Sequence, residues 1–204
     1  MTAPRITCVF HSSPSITMLL NNPAARPLTG DLLIECAPLP ALNFGLNFET
    51  PANYPGIAGL LGGGDISSLA NATDLLPAPI VLAPGASSSP CATRAALALL
   101  RRPDERLSHL TLLVPMGHAP TLGATLALAS QFTLAWDISE FPHEELVEFA
   151  QWLGRERLID RDSFQGMVAY ASQPVSAAHI QRITTLLAPL ATVRHPAGVI
   201  ALGS

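Results

Sequence analysis

The stretch PIVLAPGASSSPCATRAALALLRR, residues 79–102, decides the fold. Its first five residues form a short apolar run of the kind that makes a buried strand. A Gly-Ala-Ser turn follows, then Ser88-Ser89-Pro90, then an Ala-rich helical run from Cys91 to Arg102. Proline suits the first helical position because its missing N–H would be unpaired there in any case. The same order recurs along the chain. RITCVF (5–10) runs into Ser12-Ser13-Pro14, LTLLVP (110–115) into Ala119-Pro120-Thr121, and FTLAWDI (132–138) into Pro142-His143-Glu144. Strand, polar turn and Pro-started helix, repeated, predict an α/β protein. A layered fold follows, with a mixed or mostly parallel sheet and helix N-termini gathered along one edge.

Working outward, DLLIECA (31–37) and VIALG (199–203) read as two more strands, and residues 14–21 as a short helix ending before Pro23. Residues 38–78 are rich in Pro, Gly and Asn and read as an irregular, loop-forming region. EELVEFAQWLG is an amphipathic helix with Leu146, Ala150 and Leu153 on one face and Gly154 at its end. Asp162 is placed to cap a helix carrying Phe164, Val168 and Ala171, and Ser176 one carrying Ile180, Ile183 and Leu187. Residues 143–190 are thus expected to be helical, and the whole chain, 1–204, to make one α/β domain.

Composition narrows the function classes. Of 204 residues, 49% are hydrophobic and 13% charged, and mean hydropathy is +0.35. Such a chain is expected to bury a large core, a protein partner surface or a homo-oligomer interface. All 11 basic residues are arginine, which excludes a Schiff-base lysine, a lysine general base and a phosphate-loop lysine. The arginines are scattered and the net charge is −4, so no nucleic-acid footprint is present. Three cysteines, Cys8, Cys36 and Cys91, show no Cys-x-x-Cys spacing, against a disulfide framework or a zinc knuckle. The opening MTAPRITCVFHSSP has too short an apolar run for a secretory signal. LGATLALASQFTLAW is too short to span a bilayer. A cytoplasmic protein without membrane contact is the expectation.

The candidate chemistry lies at the turns. Cys91 falls in the first turn of its helix, where the dipole would lower a thiol pKa. Ser87, Ser88 and Ser89 before it offer hydroxyls and N–H groups to a ligand anion. His118, after Gly117 at the end of LTLLVPMG, is placed to act as a base, and Asp137, ending FTLAWD, to orient it. Parallel strands would bring Cys91, His118 and Asp137 to one sheet edge as a Cys-His-Asp relay; an ordinary capping role is the alternative for each. His11, His118 and His143 match no metal-ligand spacing, so no metal is expected. The glycines from Gly56 to Gly64 end without Lys-Ser/Thr and form no nucleotide phosphate loop, and no cofactor is expected.

PIVLAPGASSSPCATRAALALLRR, followed by LTLLVPMG, resembles the nucleophile region of the thiolase-like β-ketoacyl synthases. NFETPANYPGIAGLLGG upstream is similar to the family's Asn/Ala/Gly segment, and GHAPTLGATLALA to its Gly-His motif with extra residues inside it. The likeness covers residues 43–130. Ser87 stands at about the place of the family's nucleophilic cysteine, with Cys91 a turn later. The first catalytic histidine motif and the lysine are missing, and the chain is about half the family's usual length. The resemblance therefore implies a degenerate, chain-length-factor-like subunit supporting acyl-chain biosynthesis, partnered by an acyl carrier protein or a catalytic synthase subunit. Two alternatives stand beside it: a non-enzymatic accessory or assembly protein of a bacterial complex, and a Cys-His acyl or amide transferase using Cys91 and His118.

Overall fold

The computed structural model describes residues 3–12, 15–36, 55–70, 76, 78–82, 90–102, 107–116, 119–140, 143–158, 162–187 and 199–201. Seven strands form one sheet: β1 (Arg5–His11), β2 (Leu32–Glu35), β3 (Ile80–Leu82), β4 (His109–Pro115), β5 (Gln131–Asp137), β6 (Phe164–Ala171) and β7 (Val199–Ala201). Their order is β3-β2-β4-β1-β5-β6-β7. Every pairing is parallel, so all strand C-termini share one edge. The expected layered α/β fold is present, and the sheet is parallel throughout.

Parallel sheets are covered on both faces, and strand alternation shows how. Ile6, Cys8 and Phe10 of β1, Leu110, Leu112 and Val114 of β4, and Phe132, Leu134 and Trp136 of β5 point into the larger of two apolar clusters. That face is covered by a 3-10 helix (Gly56–Gly62) and four α-helices: α2 (Pro90–Leu99), α3 (Ala119–Leu128), α4 (His143–Arg155) and α5 (Ala177–Leu187). The intervening residues Val9, Leu33, Leu113, Ala135, Val168 and Tyr170 join a smaller cluster with Ile16, Leu19 and Leu20 of α1 (Ile16–Asn21). Period-2 alternation puts the buried polar side chains of β1, β2, β4 and β5 on this second face too: Thr7, His11, Glu35, Thr111, Thr133 and Asp137. The polar chemistry thus faces the short helix α1.

Two expectations fail here. Residues 164–171 form strand β6, not a helix capped by Asp162, so the helical C-terminal region 143–190 is interrupted. All eight residues of FQGMVAYA are buried; a strand covered on both faces shows no alternation, and its apolar residues fall at helical spacing by chance. Gly154 does not end the helix before β6, which runs on to Arg155; the chain turns instead at Arg157, with φ 53°. Trp152 and Phe149 of α4 stack at 5.5 Å, and Phe149 packs on Trp136 of β5 at 5.6 Å. These rings hold α4 on the sheet. Within the expected loop region 38–78, two 3-10 helices form, Gly56–Gly62 and Ile66–Leu69.

Candidate functional site

Asp137 ends β5, beside the central strand β1, on the C-terminal edge, and its side chain is fully buried. Its Oδ2 accepts a 2.5 Å bond from the Ser15 hydroxyl, just before α1. Its Oδ1 accepts from the Ser139 hydroxyl at 2.6 Å and the Ser139 N–H at 3.0 Å, with the Ser172 N–H at 3.4 Å. The Asp137 backbone N–H donates to the Ser12 hydroxyl at 3.0 Å. Ser15 Oγ also meets the Tyr170 hydroxyl at 3.0 Å, and Ser139 Oγ meets Ser172 Oγ at 3.0 Å. Segments after three adjacent strands, β1, β5 and β6, are therefore joined through one carboxylate.

Burial by itself would raise the Asp137 pKa, but the hydroxyls of Ser139, Ser15 and Ser172 outweigh it and hold the carboxyl below its usual 3.8. The group is an anion at neutral pH, compensated by hydroxyls and backbone N–H groups. Burial pushes the Tyr170 hydroxyl well up, with Asp137 and Glu140 adding to it, so it stays protonated.

Of the residues singled out in the sequence, Asp137 is the one whose side chain is described. Cys91 lies in the first turn of α2, but its side chain, and the whole of Ser87, Ser88, Ser89, Gly117 and His118, lie outside the described residues. The strands leading to the three relay positions are β3, β4 and β5, and β3 stands four places from β5 in the sheet, about 19 Å at the usual strand spacing. The other two cysteines are buried: Cys8 donates to the Thr125 carbonyl, and burial, with Glu35 beside it, pushes the Cys36 thiol up to about 12. Neither is a nucleophile at neutral pH. Among the described residues no His, Cys, Asp and Glu cluster suits a metal, and no helix is long and apolar enough to cross a membrane.

Sequence reasoning missed Ser12, Ser15, Ser139, Ser172 and Tyr170. The available signal was the polar turn after RITCVF, read only as a helix start. A cavity of about 160 Å³ opens at the opposite edge between Pro4, Leu60, Asp65, Leu100, Arg102 and Leu110. It shares no residue with the Asp137 junction.

The sequence matches no protein-family model and no curated protein. Solved structures do resemble the fold. The cobyrinic acid a,c-diamide synthase from Mycobacterium smegmatis with bound ATP analog and magnesium is 19% identical, with 89% of this chain and 80% of that one covered at a TM-score of 0.55. A ParA family ATPase from Chlorobium tepidum TLS is 11% identical, with 97% and 84% covered at 0.61. The MinC:MinD cell division protein complex of Aquifex aeolicus gives 10% identity, 87% and 72% coverage, and 0.50. The likeness is one of fold. It overturns the resemblance to β-ketoacyl synthases and the role drawn from it, a degenerate synthase-like subunit working with an acyl carrier protein. Ala-rich helices after short apolar strands are common to α/β folds, so that small-residue texture did not discriminate between them.

Proposed function

We propose that this chain is a ParA/MinD-fold protein that works by binding protein partners, with its phosphate site rebuilt as a polar junction that takes no nucleotide. Structures of this fold hold an ATP analog with magnesium, so a nucleoside triphosphate is the group to test against these residues. A phosphate loop between a strand and a helix uses glycines to let backbone N–H groups approach, a lysine for charge, and a Ser or Thr for magnesium. The β1–α1 connection here reads His11-Ser12-Ser13-Pro14-Ser15. It holds no glycine, proline removes one N–H, and no lysine exists anywhere in the 204 residues.

The observation that carries the reading is the commitment of Ser15. Its hydroxyl already bonds the Asp137 carboxylate and Tyr170, and with no lysine to offset it that carboxylate repels phosphate oxygens. The residues do not fit the group. Two features support the protein-binding role: the MinC:MinD structure is a protein complex of the same fold, and this chain is 49% hydrophobic with only 13% charged residues.

The test combines phosphate release with mass by light scattering, each with and without Mg·ATP. The expected result is no release above background and an unchanged mass. ATP hydrolysis, or a mass that changes with ATP, would contradict the proposal.

A further inference from the structure

We infer that Asp137 is a built-in anion that joins the β1, β5 and β6 ends of the C-terminal sheet edge in the way a bound phosphate would, fixing that part of the edge in one state without ligand; this rests on the reading that the chain takes no nucleotide. A phosphate bound at strand-end loops is a common acceptor for loop N–H and hydroxyl donors. Here the acceptor is covalently part of β5. It reaches the β1–α1 segment through Ser15 and the β6–α5 segment through Ser172, and holds its own following turn through Ser139.

The junction extends beyond the carboxylate. The Ser12 N–H donates to the Ala135 carbonyl at 3.2 Å, and the Ile138 N–H to the Tyr170 carbonyl at 2.9 Å. The Gln173 N–H donates to Ser139 Oγ at 3.2 Å, and His179 Nε2 lies 3.2 Å from the Ile138 carbonyl. The helix α5 is thereby tied to the same turn. Among the described residues, the carboxylate's partners are hydroxyls and backbone N–H groups, the donor types that cradle phosphate oxygens. Charge-assisted bonds of this kind are the stronger class, and the accepting carboxylate itself is buried.

Amide hydrogen exchange tests the inference in the intact chain. Asp137→Asn keeps the shape of the side chain but loses the charge. It is expected to speed exchange about tenfold at residues 12, 137–139 and 172–173, in line with the loss of a charge-assisted bond, while Leu110–Val114 of β4 keeps its protection. Ser15→Ala, which leaves the carboxylate in place, should speed exchange on the β1–α1 side alone; it decides the matter if Asp137→Asn does not fold. Adding Mg·ATP or inorganic phosphate to the wild-type chain should change nothing. Unchanged exchange in the folded variants would overturn Asp137 as the closing anion, while leaving the nucleotide-free reading intact. Slower exchange at these residues when Mg·ATP meets the wild type would instead overturn the nucleotide-free reading itself, and the inference with it.

Discussion

At the C-terminal edge of the sheet, the carboxylate of Asp137 gathers hydroxyl and backbone donors from three loops; at the N-terminal edge, the carboxylate of Asp31 does the same with Ser108 and His109. Asp31 Oδ2 accepts from the Ser108 N–H at 2.8 Å, the Ser108 hydroxyl at 2.9 Å and the His109 N–H at 3.0 Å. Both groups sit at strand ends and both have lowered pKa values against the opposing effect of burial. They differ in exposure: Asp31 is exposed and Asp137 fully buried. Water replaces a lost acceptor more readily at the first edge, where the carboxylate is exposed, than at the second, where it is buried. The same arrangement of donors is therefore a replaceable cap on one side and a structural junction on the other.

Removing each carboxylate breaks the comparison most directly. Asp137→Ala removes the charged acceptor shared by the half-buried Ser15, Ser139 and Ser172 and is expected to destabilise the chain by about 3 kcal/mol, read as a drop in urea midpoint at unchanged slope. A backbone change at the N-terminal edge comes next. A Cβ on Gly30 would stand 2.5 Å from the His109 carbonyl oxygen, a main-chain atom that cannot swing aside. Gly30→Ala should cost about 1–3 kcal/mol by overpacking, with circular dichroism confirming a native spectrum below the transition. Asp31→Ala should cost only about 1 kcal/mol, because its partners turn to solvent. A loss equal to that of Asp137→Ala would end the distinction drawn between the two edges.

Acid titration sharpens the same contrast. Burial, and the Arg5 guanidinium 3.1 Å from Nδ1, hold the His109 pKa below its ordinary 6.5. The folded state then binds fewer protons than the unfolded one below that value, so stability is complete above pH 6.5 and is lost as pH falls through the folded value. Asp137 contributes stability that is complete above 3.8 and is lost as pH falls through its lower folded value. Two separate acid limbs are expected in a series of urea midpoints against pH. His109→Gln should flatten the upper limb and leave the lower one, the smallest of these effects.

The strands and most helices were legible because apolar runs and polar turns alternate plainly along the chain. Pro90 does open α2, and Ser176 Oγ does accept the His179 N–H at the start of α5. β6 was not legible, since a strand buried on both faces carries no period-2 signal, and Phe164, Val168 and Ala171 fall at helical spacing. Asp137 was marked as a residue of interest, but as the partner of His118. Its observed partner Ser15 lies 122 residues away in sequence, and Tyr170 lies 155 residues from Ser15. Such convergence follows from the strand order β1-β5-β6, which local pattern does not encode. The family resemblance failed for a related reason: it rested on small residues around turns, which many parallel α/β sheets require.

The most direct test of the central claim is calorimetric titration of Mg·ATP into the purified chain. No saturable heat is expected at millimolar nucleotide. One-to-one saturable binding that is lost in Ser12→Ala or Ser15→Ala would contradict it, by placing the triphosphate where Asp137 now holds the edge closed.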